Sequence, residues 1–292
     1  MTILVAHPYQ VGVVGAGQLA RMILQAAISL GLNVRILAAS RDDGAALISP
    51  NVAIGSPDSY EALADLATSC DVMTFDHELV AVGVLQRLEE QGHRVYPTAH
   101  TMAIAQDKLL QHERFALAGL PLLAHAPIAD AASLHAFGCR HGWPVVLKTA
   151  RGGYDGRGVW VAESLDAAGP VLRRARDAGL RLLAESFASV ERELAVMVAR
   201  RPNGEAVVYP AVETVQVNGI CHEVLAPAPV DHPVAEEATS LALKVASAVD
   251  VVGVFAVELF QVRERLYINE IAARPHNSGH YSIEGCITSQ FE

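Results

Sequence analysis

The sequence predicts an α/β fold in which a Rossmann-like, parallel-sheet N-terminal domain precedes a larger body built mostly of strands. Three observations predict it. Residues up to about 97 alternate short apolar strands with helical stretches, the pattern of a parallel sheet with helical crossovers. Beyond Pro121 the strand signals crowd together. The chain has 292 residues, 51% apolar and 18% charged, enough for more than one core and too apolar for extensive disorder.

Gln10 to Val14 is a short apolar strand, followed by Gly15-Ala16-Gly17 and a helical stretch from Gln18 to about Leu30. Val34 to Ala38 is a second strand, Ser59 to Thr68 an amphipathic helix, and Asp71 to Phe75 a third strand. Val95-Tyr96-Pro97 closes the unit, because proline cannot continue a central strand. Thr98 to Ala118 reads as one helix, ended by Gly119-Leu120-Pro121. A helix over Ala131 to His141 then leads to the strand Pro144 to Lys148 and a glycine-rich loop. Five strands follow: Val159–Ala162, Arg181–Glu185, Glu193–Arg200, Val207–Val212 and Gly219–Val224. A helix from about Val234 to Val249 precedes two last strands, Val252–Val262 and Leu266–Ala272.

Composition narrows the partners. A formal net charge of -10 disfavours nucleic acid, whose phosphates are held by Lys and Arg. Cys70, Cys139, Cys221 and Cys286 form no CxxC pair, which suits reduced thiols in a cytoplasmic protein. The opening MTILVAHPYQ lacks the basic start of a signal peptide. No apolar run reaches the roughly 18 residues of a membrane span.

Gly15, Gly17 and Ala20 form a GxGxxA turn at a helix start, where backbone amides hold anions. A nicotinamide enzyme would next place an acid at the end of the second strand, where this chain has Ala38, Ala39 and Ser40, with Arg41 beyond. A tight turn without cofactor and a turn beside a phosphorylated substrate both remain open. The stronger signal is PVVLKTARGGYDGRGV. Its apolar strand ends in Lys148, and Gly152, Gly153, Gly156 and Gly158 follow, with Tyr154, Asp155 and Arg157 among them. Such a loop lays backbone amides over a polyphosphate while the lysine supplies a point charge. Glu185 and Glu193 suit the hydroxyls of a ribose, and a solvated charged face explains them equally well.

The string VVGVFAVELFQVRERLYINEIA carries paired carboxylates. With Arg263-Glu264-Arg265 as a three-residue turn, Glu258 falls across from Glu270 among apolar neighbours. At ~5 Å and an effective dielectric near ~20 the repulsion is about 3 kcal/mol, which a divalent cation would turn into coordination. The alternatives are a slipped register or a lysine from elsewhere. Asn269 adds an oxygen ligand one residue away, although alternation aims it at the opposite face. ARPHNSGH then packs Arg274, His276, Asn277, Ser278 and His280 together, which fits a small oxyanion better than a zinc pair.

Together, VGVVGAGQLARM, QDKLL, VLKTARGGYDGRG, VELF and NEIAARPHNSGHYSIEGCITSQFE resemble the ATP-grasp family. The likeness runs along essentially the whole chain. The last string is specific for its carboxylating branch, ligases that attach bicarbonate to aminoimidazole ribonucleotide in purine biosynthesis. The resemblance implies an ATP-grasp fold: a pre-ATP-grasp domain over residues 1–97 and an ATP-grasp domain over 98–292. The latter has a lid lobe at about 121–188 and a metal and nucleotide lobe at about 189–292.

By the same resemblance, Lys108 and Lys148 are the nucleotide lysines, and Gly153 to Val159, with Gly156 and Gly158, is the triphosphate flap. Glu185, Ser186, Phe187 and Ala188 bracket adenine, Glu193 meets the ribose, and Asn269 lies beside the nucleotide. Gln216 stands near the nucleotide where many members carry histidine. Glu258 and Glu270 hold magnesium or manganese. Arg274, His276 and Asn277 handle bicarbonate, while Tyr154, Arg157 and Glu78 meet the ribonucleotide and Asp155 positions or deprotonates its amine. A cytoplasmic homodimer acting on small molecules is implied as well. Members normally continue into a C-terminal domain with basic residues for the substrate phosphate. This chain stops at Glu292, which leads to the expectation of an incomplete ribonucleotide site. A sister ligase using formate and a non-catalytic nucleotide-binding fragment are the alternatives.

Overall fold

A computed structural model describes residues 9–153, 157–217 and 219–292. In the first third lie β1 (Gln10–Val14), α1 (Gln18–Leu30), β2 (Asn33–Ala38), β3 (Val52–Ile54), α2 (Tyr60–Thr68), β4 (Val72–Phe75) and α3 (Val82–Glu90). Its four strands run in the order β3-β2-β1-β4, all parallel, as the alternating pattern requires. Val95 adds a parallel bridge to Met73.

Then follow α4 (Ala99–Ala105), α5 (Lys108–Leu117), β5 (His125–Ile128), α6 (Ala131–His141), β6 (Val145–Thr149), β7 (Val159–Ala162), α7 (Leu165–Asp177) and β8 (Leu182–Ser186). Strands β5-β8-β6-β7 form a second, antiparallel sheet covered by α6 and α7. The rest comprises β9 (Arg192–Arg200), β10 (Ala206–Val208), β11 (Val212–Val217), β12 (Ile220–Leu225), α8 (His232–Ala248), β13 (Gly253–Val262) and β14 (Arg265–Ala272). These strands make a third sheet, β12-β11-β9-β13-β14, with β10 paired to β9. Its buried Val196, Phe255 and Leu259 share a core with Leu241 and Val245 of α8 and Phe115 of α5.

Several expectations change. The helix expected over Thr98 to Ala118 is two helices, because Asp107 caps a fresh start by accepting from the amide of Leu109. Asp107 is 1% exposed and also meets Arg151 and Arg181, so α5 begins where a buried carboxylate ties it to the second sheet. Between β7 and β8 stands α7, where the sequence shows Gly169-Pro170. Ser164 caps it by accepting from Ala167, and Pro170 sits within its first half. The single strand over Val207 to Val212 is two strands, interrupted around Pro210. The short strands β3 and β5 and helix α3 also lie outside the sequence expectation.

Gly15 sits at φ +104°, and a Cβ there would fall on the carboxylate of Asp76. Asp76 is itself buried and accepts from the amide of Gly17 at 2.6 Å. Gly15→Ala therefore lowers the unfolding free energy by more than about 1 kcal/mol in urea titration, through strain and displacement of Asp76. An unchanged midpoint would show that the turn relaxes without loss.

Candidate active site

The second and third sheets meet through side chains from five elements. Lys148, near the end of β6, is 6% exposed. Its Nζ donates to Glu185 Oε2 of β8 at 2.8 Å and to Asn269 Oδ1 of β14 at 2.9 Å. Asn269 Nδ2 donates to Glu258 Oε2 of β13 at 3.2 Å. Glu258 Oε1 lies 3.3 Å from His276 Nε2, and His276 Nδ1 lies 2.9 Å from Ser278 Oγ. On the other side, Glu185 Oε1 lies 2.8 Å from Nε2 of His112 on α5. One chain of hydrogen bonds and ion contacts thus runs from α5 through both sheets to the loop after β14.

Glu258 and Glu270 are Cα partners across the β13–β14 ladder, as expected, but by a different route. Val262 pairs with Arg265, so the turn contains two residues rather than three. The register is restored by a bulge: Leu259 pairs with Ile268 and Glu258 with Glu270, which leaves Asn269 as the extra residue. The bulge also overturns the expectation that Asn269 points to the opposite face. An unpaired residue escapes the alternation, and its amide bridges Lys148 and Glu258.

Repulsion between the two carboxylates is relieved from within the chain. Glu270 forms an ion pair with Lys108, and Glu258 meets His276. A lysine from elsewhere, the alternative to a metal, is therefore present, and repulsion alone does not call for a cation. The donor set still fits a hard divalent ion. Burial, and then the charge of Glu258, raise the carboxyl of Glu193 on β9. Among the described residues no three His, Cys, Asp or Glu side chains form a complete shell. A partial oxygen shell completed by phosphate and water is how magnesium is usually held.

Burial, with the like charge of Lys148, brings the ammonium of Lys108 down to about 8. For Glu185, burial works to raise the carboxyl, but Lys148 and His112 hold it at about 2. At 3% exposure Glu185 is an internal counter-ion, which rules out the solvated charged face.

The remaining candidates spread around this centre. Glu78 accepts from the Arg274 Nε at 2.8 Å and from the amide of Ala273 at 3.1 Å, joining the first domain to the loop after β14. Asn277 is exposed at the start of a 3-10 turn over Asn277–Gly279. The His280 ring hydrogen-bonds Gln290 while the His276 ring meets Glu258 and Ser278, so the two imidazoles of ARPHNSGH hold different partners. After β8, Phe187 is 49% exposed, whereas the amide of Ser186 is spent on the carbonyl of Ala124 and the carbonyl of Ala188 accepts from Val190. Gln216 is half-buried on β11, at a bulge opposite Cys221.

Strands β6 and β7 pair as a hairpin, Lys148 opposite Val159, and the carbonyl of Gly158 accepts from the amide of Thr149. Gly153 and Arg157 lie between the two strands, while Tyr154, Asp155 and Gly156 lie outside the described residues. Clefts of about 740 Å³ beside α8 and 750 Å³ beside α1 contain none of these side chains, so it is the chemistry that marks the site. Sequence reasoning missed His112, whose one signal is its i+4 spacing from Lys108.

Residues 113–291 match the ATP-grasp domain model, and residues 9–106 match the ribonucleotide synthetase preATP-grasp domain model. The chain is 46% identical to an N5-carboxyaminoimidazole ribonucleotide synthase of Mycobacterium bovis, over 97% of this chain and 66% of that protein. It therefore spans just under two thirds of that relative's length. A relative of the same name from Synechococcus elongatus is 41% identical over 100% of this chain and 74% of its own. Among solved structures, an N5-carboxyaminoimidazole synthase from Aspergillus clavatus in complex with ADP and 5-aminoimidazole ribonucleotide superposes with a TM-score of 0.90. It is 36% identical, covering 97% of this chain and 74% of that one.

The Glu185 carboxyl makes a pH prediction. Its folded value is about 2 against an ordinary 4.5, so its stabilisation is full above about pH 4.5 and lost as pH falls through about 2. The difference corresponds to roughly 3 kcal/mol. Urea midpoints measured from pH 5 to 3 should fall steeply in the parent and less steeply in Glu185→Gln. Equal slopes would remove Glu185 as the source.

Proposed function

The chain belongs to the ATP-grasp family and, within it, to the N5-carboxyaminoimidazole ribonucleotide synthases, and we propose that it carboxylates 5-aminoimidazole ribonucleotide with bicarbonate at the expense of ATP in purine biosynthesis. The observation that carries the reading is the convergence of Lys108 and Lys148 with Glu258, Asn269 and Glu270 at the foot of the β6–β7 hairpin. A buried and a half-buried cation beside clustered oxygen ligands suit a polyphosphate.

In this proposal Lys108 and Lys148 bind the phosphates and the loop from Gly153 to Val159 closes over them. The segment Glu185 to Ala188 receives adenine through Phe187 and the backbone, with Glu193 on the ribose and Gln216 nearby. Glu185 itself acts as the counter-ion that fixes Lys148. Magnesium or manganese would be held by Glu258 and Glu270, and when bound supplies positive charge to the transferring phosphoryl group. Arg274, His276 and Asn277 hold bicarbonate, one of whose oxygens takes the γ-phosphoryl group as ADP departs. Glu78, Tyr154 and Arg157 hold the ribonucleotide, and Asp155 takes the amine proton as its nitrogen attacks the activated carboxyl carbon and phosphate leaves. Exclusion of water protects that reactive carboxyl. Glu78 orients Arg274 from the neighbouring domain.

Kinship extends the proposal to a cytoplasmic homodimer with small-molecule substrates and to domains over residues 1–97 and 98–292, with the lobes described above. Among the described residues no helix is long and apolar enough to cross a membrane. ATP hydrolysis measured with each acceptor tests the reading. Stimulation by 5-aminoimidazole ribonucleotide plus bicarbonate supports it, stimulation by formate points to a transformylase, and binding without hydrolysis to a non-catalytic fragment. Glu270→Gln should cut metal-dependent turnover at least about a hundredfold with the fold intact by circular dichroism. Unchanged turnover would remove Glu270 from the site.

A further inference from the structure

His112 of α5 is 2% exposed and belongs to none of the candidate binding groups above. Its Nδ1 lies 2.8 Å from the carbonyl oxygen of Lys108, one helical turn back, and its Nε2 lies 2.8 Å from Glu185 Oε1. Both ring nitrogens therefore face acceptors, a backbone carbonyl oxygen on one side and a carboxylate oxygen on the other. His125, the cross-strand partner of Glu185, packs edge-on against the ring at 4.8 Å.

This one ring reaches both phosphate-facing lysines. Through the carbonyl it fixes the residue that carries the Lys108 side chain. Through Glu185 it fixes Lys148, because the second carboxylate oxygen is the one that binds Nζ. With His112 present, the ring occupies one carboxylate oxygen of Glu185 and Lys148 binds only the other, which leaves the ammonium donors for a phosphate. With His112 removed, both carboxylate oxygens are open to Lys148 and Glu185 is free to turn, so the ammonium loses its fixed position.

We infer that His112 is a positioning residue for nucleotide binding: by sharing Glu185 with Lys148 and holding the start of α5, it keeps both lysines available to a polyphosphate. The inference rests on the ATP-binding reading above.

Two variants and one structure test it. His112→Met keeps most of the volume without a donor, and His112→Lys restores a donor within reach of Glu185. Calorimetric Kd for ATP with magnesium should rise about tenfold in His112→Met and return to within about threefold of the parent in His112→Lys. A side chain that serves only packing would lower the melting temperature and leave Kd at the parent value in both variants, and that result overturns the inference.

Should His112→Met fail to fold, the parent protein crystallised with a non-hydrolysable ATP analogue decides. Lys148 Nζ bonded to both Glu185 and a phosphate oxygen, with His112 still on the other carboxylate oxygen, supports the role. Glu185 releasing His112 on binding overturns it. A parent protein that binds no ATP would sink the nucleotide reading and this inference together, whereas ATP binding unaffected by His112 sinks the inference alone.

Discussion

The ammonium of Lys148 is the junction on which the rest of the site depends. It is almost wholly buried, and an unpaired charge at that depth would be costly. Two acceptors from two sheets make it tolerable: Glu185 within its own sheet and Asn269 from the other. Each acceptor is supported in turn, Glu185 by His112 and Asn269 by its bond to Glu258. The cost of burying one cation therefore obliges four further polar groups to take fixed positions. That is how a site spread over residues 112 to 269 stays organised although its two sheets fold around separate cores.

Much of this was legible in the sequence, for identifiable reasons. Strand β1, helix α1 and helix α6 carry strong periodicity and clear punctuation, and their ends fall where the pattern places them. Helix α7 was not legible, because Gly169-Pro170 reads as a turn while the cap on Ser164 and packing against the second sheet outweigh it. The two-helix break at Gln106-Asp107 has the opposite cause. Asp107 is an ordinary N-cap residue, but a helix-forming stretch on either side hides it.

The site shows the same division. The pairing of Glu258 with Glu270 could be counted from the strand lengths, although the count reached the right register through a turn one residue too long and a bulge not foreseen. Sequence alternation has no means of placing an unpaired residue, so the direction of Asn269 was lost. The partners Lys108, His112 and His276 were beyond reach as contacts, because they approach the hairpin from distant elements and nothing in local spacing records that approach.

The turn at Gly15-Ala16-Gly17 shows why the fold of a nucleotide-binding domain need not bring its usual ligand. In a dinucleotide enzyme the amides at the start of α1 face a pyrophosphate. Here the amide of Gly17 is taken by the carboxylate of Asp76, which comes from the end of β4 and occupies the space a Cβ at Gly15 would need. Burial raises that carboxyl, the expected response of an acid held away from water, while the Gly17 amide and the charges of His77 and Arg274 oppose the rise. A second anion at the same amide would face a like charge at hydrogen-bonding distance. The helix start is thus an internal fastening between the end of β4 and α1. Two residues further along, Glu78 uses the same loop to hold Arg274 of the other domain. The segment that closes the dinucleotide position is the one that carries the first domain's contribution to the candidate active site.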